Sequence, residues 1–198
     1  MSGKAIILQR RAVVARLLRD RGDTLVVTGL GSATWDTAAA GDHKNNFYLW
    51  GGMGGAAAMG LGLAVAQPKR RVVVLTGDGE MLMGLGSLAT IAAQRPDNLA
   101  VVVIDNQRYG ETGMQETHTS RGVDLPGMAA AAGFATTGTV WDEAALEKAV
   151  PAILAAPGPV FFAVKVTTDK VPMILPPRDG TYLKHRFREA LLGAKAFE

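Results

Sequence analysis

The chain has 198 residues, of which 48% are hydrophobic and 20% charged, with a formal net charge of +3 and no cysteine. This length suits one domain over residues 1–198, no apolar run reaches the roughly 20 residues of a membrane span, and the lack of cysteine excludes disulfides and thiolate sites. Because the basic residues form no stripe interleaved with aromatic residues, we expect no nucleic-acid partner. The lack of cysteine and of a signal-peptide pattern favours a cytoplasmic protein.

Helical spacing and apolar runs alternate along the chain. This alternation predicts an α/β fold, a doubly wound domain with a mostly parallel sheet and helices on both faces. A long loop over residues 107–124 interrupts it, and loops of this length are usually functional or disordered. Three prolines predict an extended connector over about 167–180 before a closing helix. The predicted helices are 5–20, 51–66, 81–94, 125–132, 142–155 and 181–193, and the predicted strands are 24–28, 71–76, 99–104, 134–139 and 159–166.

Two polar side chains follow neighbouring apolar runs. Asp78 comes just after residues 71–76, and Asn106 just after residues 99–104. If these runs are adjacent parallel strands, their carboxyl ends meet where open α/β sheets bind ligands. A carboxylate and an amide are hard oxygen ligands, so the spacing predicts a Mg²⁺ site there.

The glycines around Asp78 favour a phosphate at the same place. Gly77 and Gly79 allow backbone N–H groups to approach phosphate oxygens, and the predicted helix over 81–94 points its positive N-terminus there. Anion and metal would then share one pocket.

A second glycine-rich segment leaves another hypothesis open. Residues 52–57 fit the pattern G-x-G-x-x-A at the start of a helix, and Asp78 follows about twenty residues later, as in a nicotinamide-binding Rossmann unit. However, residues 45–50 are short and partly polar where a long apolar strand is expected, and a ribose-binding acid does not need flanking glycines. Nicotinamide binding is therefore the weaker hypothesis.

The Gly-Asp-Gly motif at residues 77–79, followed by a spacer of about 26 residues and Asn106, resembles the motif with which thiamine diphosphate enzymes bind their cofactor. Thr28-Gly29, residues 50–54 and residues 105–110 occur in the order seen in the diphosphate-binding domain of thiamine diphosphate-dependent decarboxylases. The resemblance is closest to the sulfopyruvate and phosphonopyruvate decarboxylase group, in particular to small β subunits. It implies a thiamine diphosphate-binding fold, thiamine diphosphate and Mg²⁺ as cofactors, and decarboxylation of a 2-oxo acid substrate. Sulfopyruvate is the first expected substrate, and phosphonopyruvate, another 2-oxo acid or carboligation to an acyloin is the alternative with the same cofactor.

The resemblance also implies roles for individual residues. Asp78 and Asn106 would bind Mg²⁺ through their side chains, and Arg108 through its backbone carbonyl. Gly51 would offer its carbonyl to the aminopyrimidine, and Met53, unless it packs in the core, would wedge between the two rings of the cofactor. The residues implied to contact the cofactor are Thr28, Gly29, Gly51, Met53, Gly77, Gly79, Glu80, Met81, Tyr109, Gly110 and Glu111.

Glutamates decide whether the chain is complete as a catalyst. Enzymes of this family need a glutamate that protonates the pyrimidine ring, and it comes from a different domain. Neither Glu111 nor Glu116 lies in a matching motif, and Glu80 stands where the family often has a small residue, so its carboxylate should point away from the phosphates. The resemblance thus implies a complementary pyrimidine-binding α subunit in a hetero-oligomer such as α2β2 or larger. A noncatalytic role as a cofactor-binding regulatory partner remains a further alternative.

The loop after the metal motif carries the substrate-facing candidates. Thr112 and Gln115 could hydrogen-bond the substrate, and His118 could donate to its anionic group or protonate an intermediate, or else satisfy a loop carbonyl. A position at the rim of the site is possible for His43, although a solvated turn is favoured, and His185 is expected on a solvated helix face.

Overall fold

The computed structural model describes residues 5–198, and its elements alternate between helix and strand. The helices are α1 Arg10–Arg19, α2 Ser32–Ala39, α3 Ala56–Ala66, α4 Asp78–Met83, α5 Ser87–Gln94, α6 Leu125–Ala132, α7 Glu143–Ala155 and α8 Gly180–Leu192, with 3₁₀ helices at His118–Arg121 and Gly193–Phe197. The strands are β1 Leu25–Thr28, β2 Asn46–Tyr48, β3 Val72–Gly77, β4 Leu99–Asp105, β5 Arg108–Tyr109, β6 Gln115–Glu116, β7 Thr136–Val140 and β8 Val160–Lys165.

Six strands form one parallel sheet in the order β2-β1-β3-β4-β8-β7. From β1 the chain moves outward to β2, then crosses back to β3 on the other side of β1 and continues to β4. The direction of winding therefore reverses between β1 and β3. The crevice at the carboxyl ends of these two strands is the position at which doubly wound sheets bind ligands.

The core lies on both faces of the sheet. Alternate residues of β3 point to opposite sides, so that Val72 and Val74 join one apolar cluster while Val73 and Leu75 join the other. All seven residues of β4 are buried. Strands that are covered on both faces are continuous apolar runs in the sequence, and such runs predicted β3 and β4. The predicted α/β fold with a mostly parallel sheet is confirmed.

Three predicted helices have different bounds. The helix predicted over 51–66 begins at Ala56, because residues 51–55 form a glycine-rich turn in which Gly51 and Gly54 have positive φ angles. The opening helix begins at Arg10 rather than at residue 5, because the preceding segment is extended: Leu8 forms a parallel bridge with Val166, and its carbonyl accepts a hydrogen bond of 2.8 Å from the Thr167 N–H. The helix predicted over 81–94 is two helices, α4 and α5, separated at Gly84. An added Cβ at Gly84 would lie 2.1 Å from the carbonyl oxygen of Gly54, so the turn that contains Gly54 leaves no space for a side chain at position 84.

The long loop has structure of its own. It contains the antiparallel pair β5–β6 and the 3₁₀ helix His118–Arg121, which contacts α4. Residues 167–179 form no regular secondary structure. Beyond Thr167, side chains of the domain hold this segment: Arg11 Nη2 donates to the Pro172 carbonyl at 2.6 Å, and Trp50 Nε1 donates to the Pro177 carbonyl at 3.1 Å. No helix within residues 5–198 is both long enough and apolar enough to cross a membrane.

Candidate cofactor and metal site

Asp78 and Asn106 leave the sheet from adjacent strands. Gly77, the last residue of β3, is in register with Ile104 of β4, and Asp78 is the first residue of α4. Asn106 follows the last residue of β4 directly. Both side chains therefore start from the carboxyl edge of the sheet, beside the crevice between β1 and β3.

The Asp78 carboxylate is buried and has only neutral hydrogen-bond donors. Its side chain belongs to a residue that is 1% exposed, and its Oδ2 accepts from the hydroxyl groups of Thr117 and, at 3.2 Å, Thr119. Burial, followed by the charge of Asp105, raises the pKa of Asp78 to about 6, while the threonine hydroxyls oppose this rise. A divalent cation would relieve the cost of this buried charge.

Asp105 is fixed by a buried cation on the neighbouring strand. Its Oδ2 lies 2.5 Å from Lys165 Nζ of β8, and this ammonium lies 5.6 Å from the ring centroid of Trp141. The other oxygen, Oδ1, accepts from the Gln107 N–H at 3.0 Å and from the Thr119 hydroxyl at 2.8 Å. The single hydroxyl hydrogen of Thr119 is thus shared between Asp105, at 2.8 Å, and the Asp78 carboxylate, at 3.2 Å.

The turn after Asn106 is held by its own polar groups. Asn106 Oδ1 accepts from the Arg108 N–H at 2.9 Å, as in an Asx turn, and Gln107 has a left-handed φ of 61°. The guanidinium of Arg108 donates to the Gln107 carbonyl at 3.0 Å and lies 3.4 Å from Glu116. The arginine side chain is therefore occupied away from Asp78, which leaves the backbone carbonyl as the group implied to bind metal.

These residues fit Mg²⁺ by the chemistry of their donors. Within residues 5–198, no group of three or more His, Cys, Asp or Glu side chains could hold a metal ion. The candidate set instead combines one carboxylate, one amide oxygen and one carbonyl, from Asp78, Asn106 and Arg108. Hard oxygen donors in small number suit Mg²⁺, which retains waters and binds substrate phosphates.

The β1 edge of the crevice is formed by Thr28 and Gly29. The Thr34 hydroxyl donates to the Gly29 carbonyl at 2.6 Å, so its contact of 2.6 Å with the Thr28 hydroxyl must be donated by Thr28. On the other side, Glu80 Oε2 accepts from the Leu30 N–H at 2.9 Å. The Glu80 carboxyl is therefore directed at the turn after β1.

Other predicted cofactor residues surround this edge in different ways. The ring of Tyr109 packs on Gly79, where an added Cβ would lie 2.4 Å from the ring. Met53 is 36% exposed, so the core-packing alternative for it is wrong. Met81, in contrast, is 2% exposed and its side chain packs in the core, so a contact of Met81 with the cofactor stays a prediction that concerns its backbone. Gly51 adopts a φ of 74° in the turn before Met53.

Gly110 and Glu111 continue the loop at the surface. Glu111 extends towards the start of α2, where an added Cβ on Gly31 would lie 2.8 Å from Glu111 Oε1. Partial burial raises the pKa of Glu111, and the charge of Arg10 opposes this. The hairpin loop therefore covers one side of the crevice.

The substrate-facing candidates occupy separate positions. Thr112 Oγ1 donates to Gln115 Oε1 at 2.8 Å, and Gln115 Nε2 donates to the Thr112 carbonyl at 2.9 Å, so these two side chains bond to each other. His118 is exposed at the start of the 3₁₀ helix that carries Thr119. His43 precedes β2 at the opposite edge of the sheet and accepts at Nδ1 from the Asn45 N–H, as favoured for a solvated turn. His185 is exposed on α8.

Three side chains that support this edge were missed by the sequence reasoning. Thr117 and Thr119 hold the Asp78 carboxylate, and Lys165 pairs with Asp105. The threonines sit two residues apart at the end of the loop, a spacing that could have suggested two hydroxyls on one side. Lys165 gave a weaker signal, a lone lysine at the end of an apolar strand.

Comparison with known proteins identifies the family. The model of the thiamine pyrophosphate enzyme C-terminal TPP-binding domain matches residues 30–164. The chain is 38% identical over 189 residues to sulfopyruvate decarboxylase subunit beta of Methanothermobacter thermautotrophicus, covering 96% of this chain and 98% of that relative. It is 42% identical over 151 residues to phosphonopyruvate decarboxylase of Streptomyces viridochromogenes, covering 76% of this chain but 38% of that relative.

Solved structures show the same fold. A thiamin diphosphate-dependent enzyme from Mycobacterium smegmatis matches with a TM-score of 0.70 and 25% identity, covering 82% of this chain and 32% of that one. Benzoylformate decarboxylase from Polynucleobacter necessarius matches with a TM-score of 0.70 and 21% identity, covering 87% of this chain and 36% of that one. The chain therefore spans about a third of these larger enzymes. It belongs to the thiamine pyrophosphate enzymes and corresponds to their C-terminal TPP-binding domain.

Proposed function

We propose that this chain is the diphosphate-binding subunit of a two-subunit thiamine diphosphate-dependent 2-oxo acid decarboxylase, with sulfopyruvate as its first candidate substrate. The observation that carries the proposal is coverage: the chain matches 98% of a separate sulfopyruvate decarboxylase β subunit. Phosphonopyruvate is the second candidate, because identity to that decarboxylase is 42% over the shared part. Sulfonate and phosphonate are both tetrahedral anions, so the same loop donors could accept either.

In this proposal Asp78, Asn106 and the Arg108 carbonyl bind Mg²⁺, and backbone N–H groups around Gly79 and Gly110 bind the diphosphate. The adjacent ends of β3 and β4 support the metal assignment, since both side chains start from one edge of the sheet. Exposure of the Met53 side chain supports a role for it against the cofactor rings. The nicotinamide hypothesis is not retained, because the strand before residues 52–57 has only three residues and the family is a thiamine pyrophosphate one.

When bound, the cofactor supplies the electron sink for loss of CO₂ from the 2-oxo acid. The chain's own part is to orient the substrate and to exclude water. His118 is the candidate to donate a proton or to bind the anionic end of the substrate, and Thr112 is the candidate to hydrogen-bond it once Gln115 releases its hydroxyl. His118 lies at the start of the 3₁₀ helix that carries Thr119, and its exposure supports its access to the substrate.

A pyrimidine-binding α subunit completes the proposal by supplying the activating glutamate. The surface of α3 supports a partner: this helix is apolar on all sides, and Met59 and Val65 are 37% and 59% exposed. A helix that is apolar all round is normally buried. We place the complex, α2β2 or larger, in the cytoplasm, in keeping with a chain without cysteine.

Co-expression with a candidate α subunit tests the function. The purified complex should release CO₂ from one member of a panel containing sulfopyruvate, phosphonopyruvate and pyruvate, and only with thiamine diphosphate and Mg²⁺ present. Asp78→Ala should abolish this release and the Mg²⁺-dependent binding of cofactor, while Asp20→Ala, an exposed acid after α1, should leave both unchanged. Cofactor binding without turnover of any 2-oxo acid would instead favour the noncatalytic regulatory role.

A further inference from the structure

Glu80 is a buried acid in the crevice between β1 and β3. It is 5% exposed, and its Oε2 accepts hydrogen bonds from the Leu30 N–H at 2.9 Å and from the Thr76 hydroxyl at 2.8 Å. The carboxyl thereby joins the end of β3 to the turn that leads from β1 into α2.

The second oxygen of Glu80 faces a third segment. Oε1 has no hydrogen-bond partner, although the N–H groups of Gly54 and Ala56 lie near enough to oppose the rise in the pKa of Glu80 that burial causes. Those N–H groups belong to the end of the glycine-rich turn over residues 51–55 and to the start of α3. The carboxyl therefore bonds the end of β3 and the turn after β1, and its second oxygen faces the glycine-rich turn. Each of these three segments has residues that are proposed to contact the cofactor.

Gly29 is complementary to this side chain. An added Cβ at Gly29 would lie 1.5 Å from Glu80 Oε2 and 2.6 Å from Oε1, so the carboxyl fills the space that any other residue at position 29 would need. The φ of Gly29 is not in the left-handed region, so the constraint at this position is space and not backbone conformation.

We propose that the Glu80 side chain is a positioning residue, which holds the Leu30 turn against the end of β3 and so presets the crevice for the diphosphate before the cofactor arrives. This inference rests on the proposed function. Its physical basis is that a turn ordered in advance does not lose conformational entropy when the ligand binds. The opposite possibility is that the carboxylate, as an anion beside the phosphates, weakens their binding.

The affinity of the co-purified complex for thiamine diphosphate with Mg²⁺, measured by calorimetry, separates these effects. Glu80→Ala should raise Kd about tenfold, as expected for loss of hydrogen bonds that order the turn. Glu80→Gln keeps an acceptor for Leu30 and Thr76 and should stay within about threefold of the wild type. Gly29→Ala should raise Kd by displacing the carboxyl, and its effect should be smaller in a Glu80→Ala background than in the wild type.

Arg71→Met is the matched control for stability. Arg71 precedes β3 at the other edge of the sheet, where it donates to carbonyls at the end of α7, so its loss should lower the free energy of unfolding without changing Kd. If Glu80→Ala lowers only stability, as this control does, or if it tightens cofactor binding, the proposal is wrong.

Hydrogen exchange of the Leu30 N–H in the cofactor-free chain gives an independent readout. Exchange should be faster in Glu80→Ala and near the wild-type rate in Arg71→Met under conditions where both remain folded. A wild-type complex that binds no thiamine diphosphate would refute the proposed function. In that case an unchanged exchange rate of the Leu30 N–H in Glu80→Ala would also refute the role of Glu80. A faster exchange rate would show that Glu80 orders the Leu30 turn even though the proposed function is wrong.

Discussion

The ion pair between Asp105 and Lys165 should couple the stability of the domain to the edge of the site. Asp105 is 1% exposed and the Lys165 side chain 9% exposed, so Lys165→Met leaves a carboxylate in the core without its cation. Breaking a buried ion pair in this way costs about 3–5 kcal/mol. Two neutral donors, the Gln107 N–H at 3.0 Å and the Thr119 hydroxyl at 2.8 Å, remain on Oδ1, and we therefore expect the lower end of this range, about 3 kcal/mol.

Denaturant unfolding of the cofactor-free chain at neutral pH measures this cost. Asp105→Asn should cost less than Lys165→Met, because the ammonium keeps the Trp141 ring, 5.6 Å away, and lies nearer to solvent. The double variant should recover most of the loss, giving a coupling energy of at least about 1.5 kcal/mol. A loss below about 1 kcal/mol for Lys165→Met, or additive single losses, would show that the pair does not support this edge.

Three further stability predictions use the same assay. Gly60→Ala should destabilise the domain by about 1–3 kcal/mol, because the new Cβ would lie 2.2 Å from a methyl group of Val74. Gly62→Ala on the same helix meets no atom within 4 Å and should stabilise the domain by about 0.5–1 kcal/mol. Equal effects of the two substitutions would contradict the packing of α3. Arg71→Met should cost about 2–3 kcal/mol, since its guanidinium donates to several carbonyls at the end of α7, and a neutral result would show that these bonds are replaced by water. Asp142→Ala should cost about 1 kcal/mol through loss of the cap on α7, and recovery by Asp142→Asn would confirm capping as the cause.

The sheet could be predicted because its central strands are apolar on both faces. Each run begins and ends with a change of polarity, so β3 and β4 were found within a residue or two. Their order could not be read from one sequence, yet the candidate site depends on it: Asp78 and Asn106 start side by side from one edge of the sheet only because β3 and β4 are neighbours. The resemblance of the motif spacing to that of thiamine diphosphate enzymes nevertheless predicts that these two strands are neighbours.

The helix bounds were predicted wrongly where backbone from a distant part of the sequence determines the local conformation. Helical spacing near residue 7 was real, but Leu8 pairs with Val166, and extended pairing excludes a helix there. Gly84 lay inside a good helical pattern, but the turn at Gly54 approaches it. A pattern that repeats every three or four residues contains no information about either contact.

Side chains that support the site were missed for a related reason. Thr117, Thr119 and Lys165 act through contacts that span 14 to 60 residues along the chain, from Asp105 to Thr119 and from Asp105 to Lys165, and 39 residues from Asp78 to Thr117. Threonine and lysine are also frequent in positions with no role, so neither type of residue marks a site. Motif positions, in contrast, carry a fixed spacing that other positions lack.

The buried acids of residues 5–198 separate into two that pair with cations and two, Asp78 and Glu80, that do not. Buried charges in proteins are paired with cations or bind metal ions. Asp36 pairs with Arg10 and Asp105 pairs with Lys165, whereas Asp78, which is equally buried, forms no ion pair with any lysine or arginine of residues 5–198 and accepts only from threonine hydroxyls. Burial, followed by the charge of Asp105, raises the pKa of Asp78 to about 6, so that the charged form of this carboxyl costs stability. The unpaired charge of Asp78 therefore supports the proposed cation there, because Asn106 starts from the same edge of the sheet and offers a second oxygen ligand.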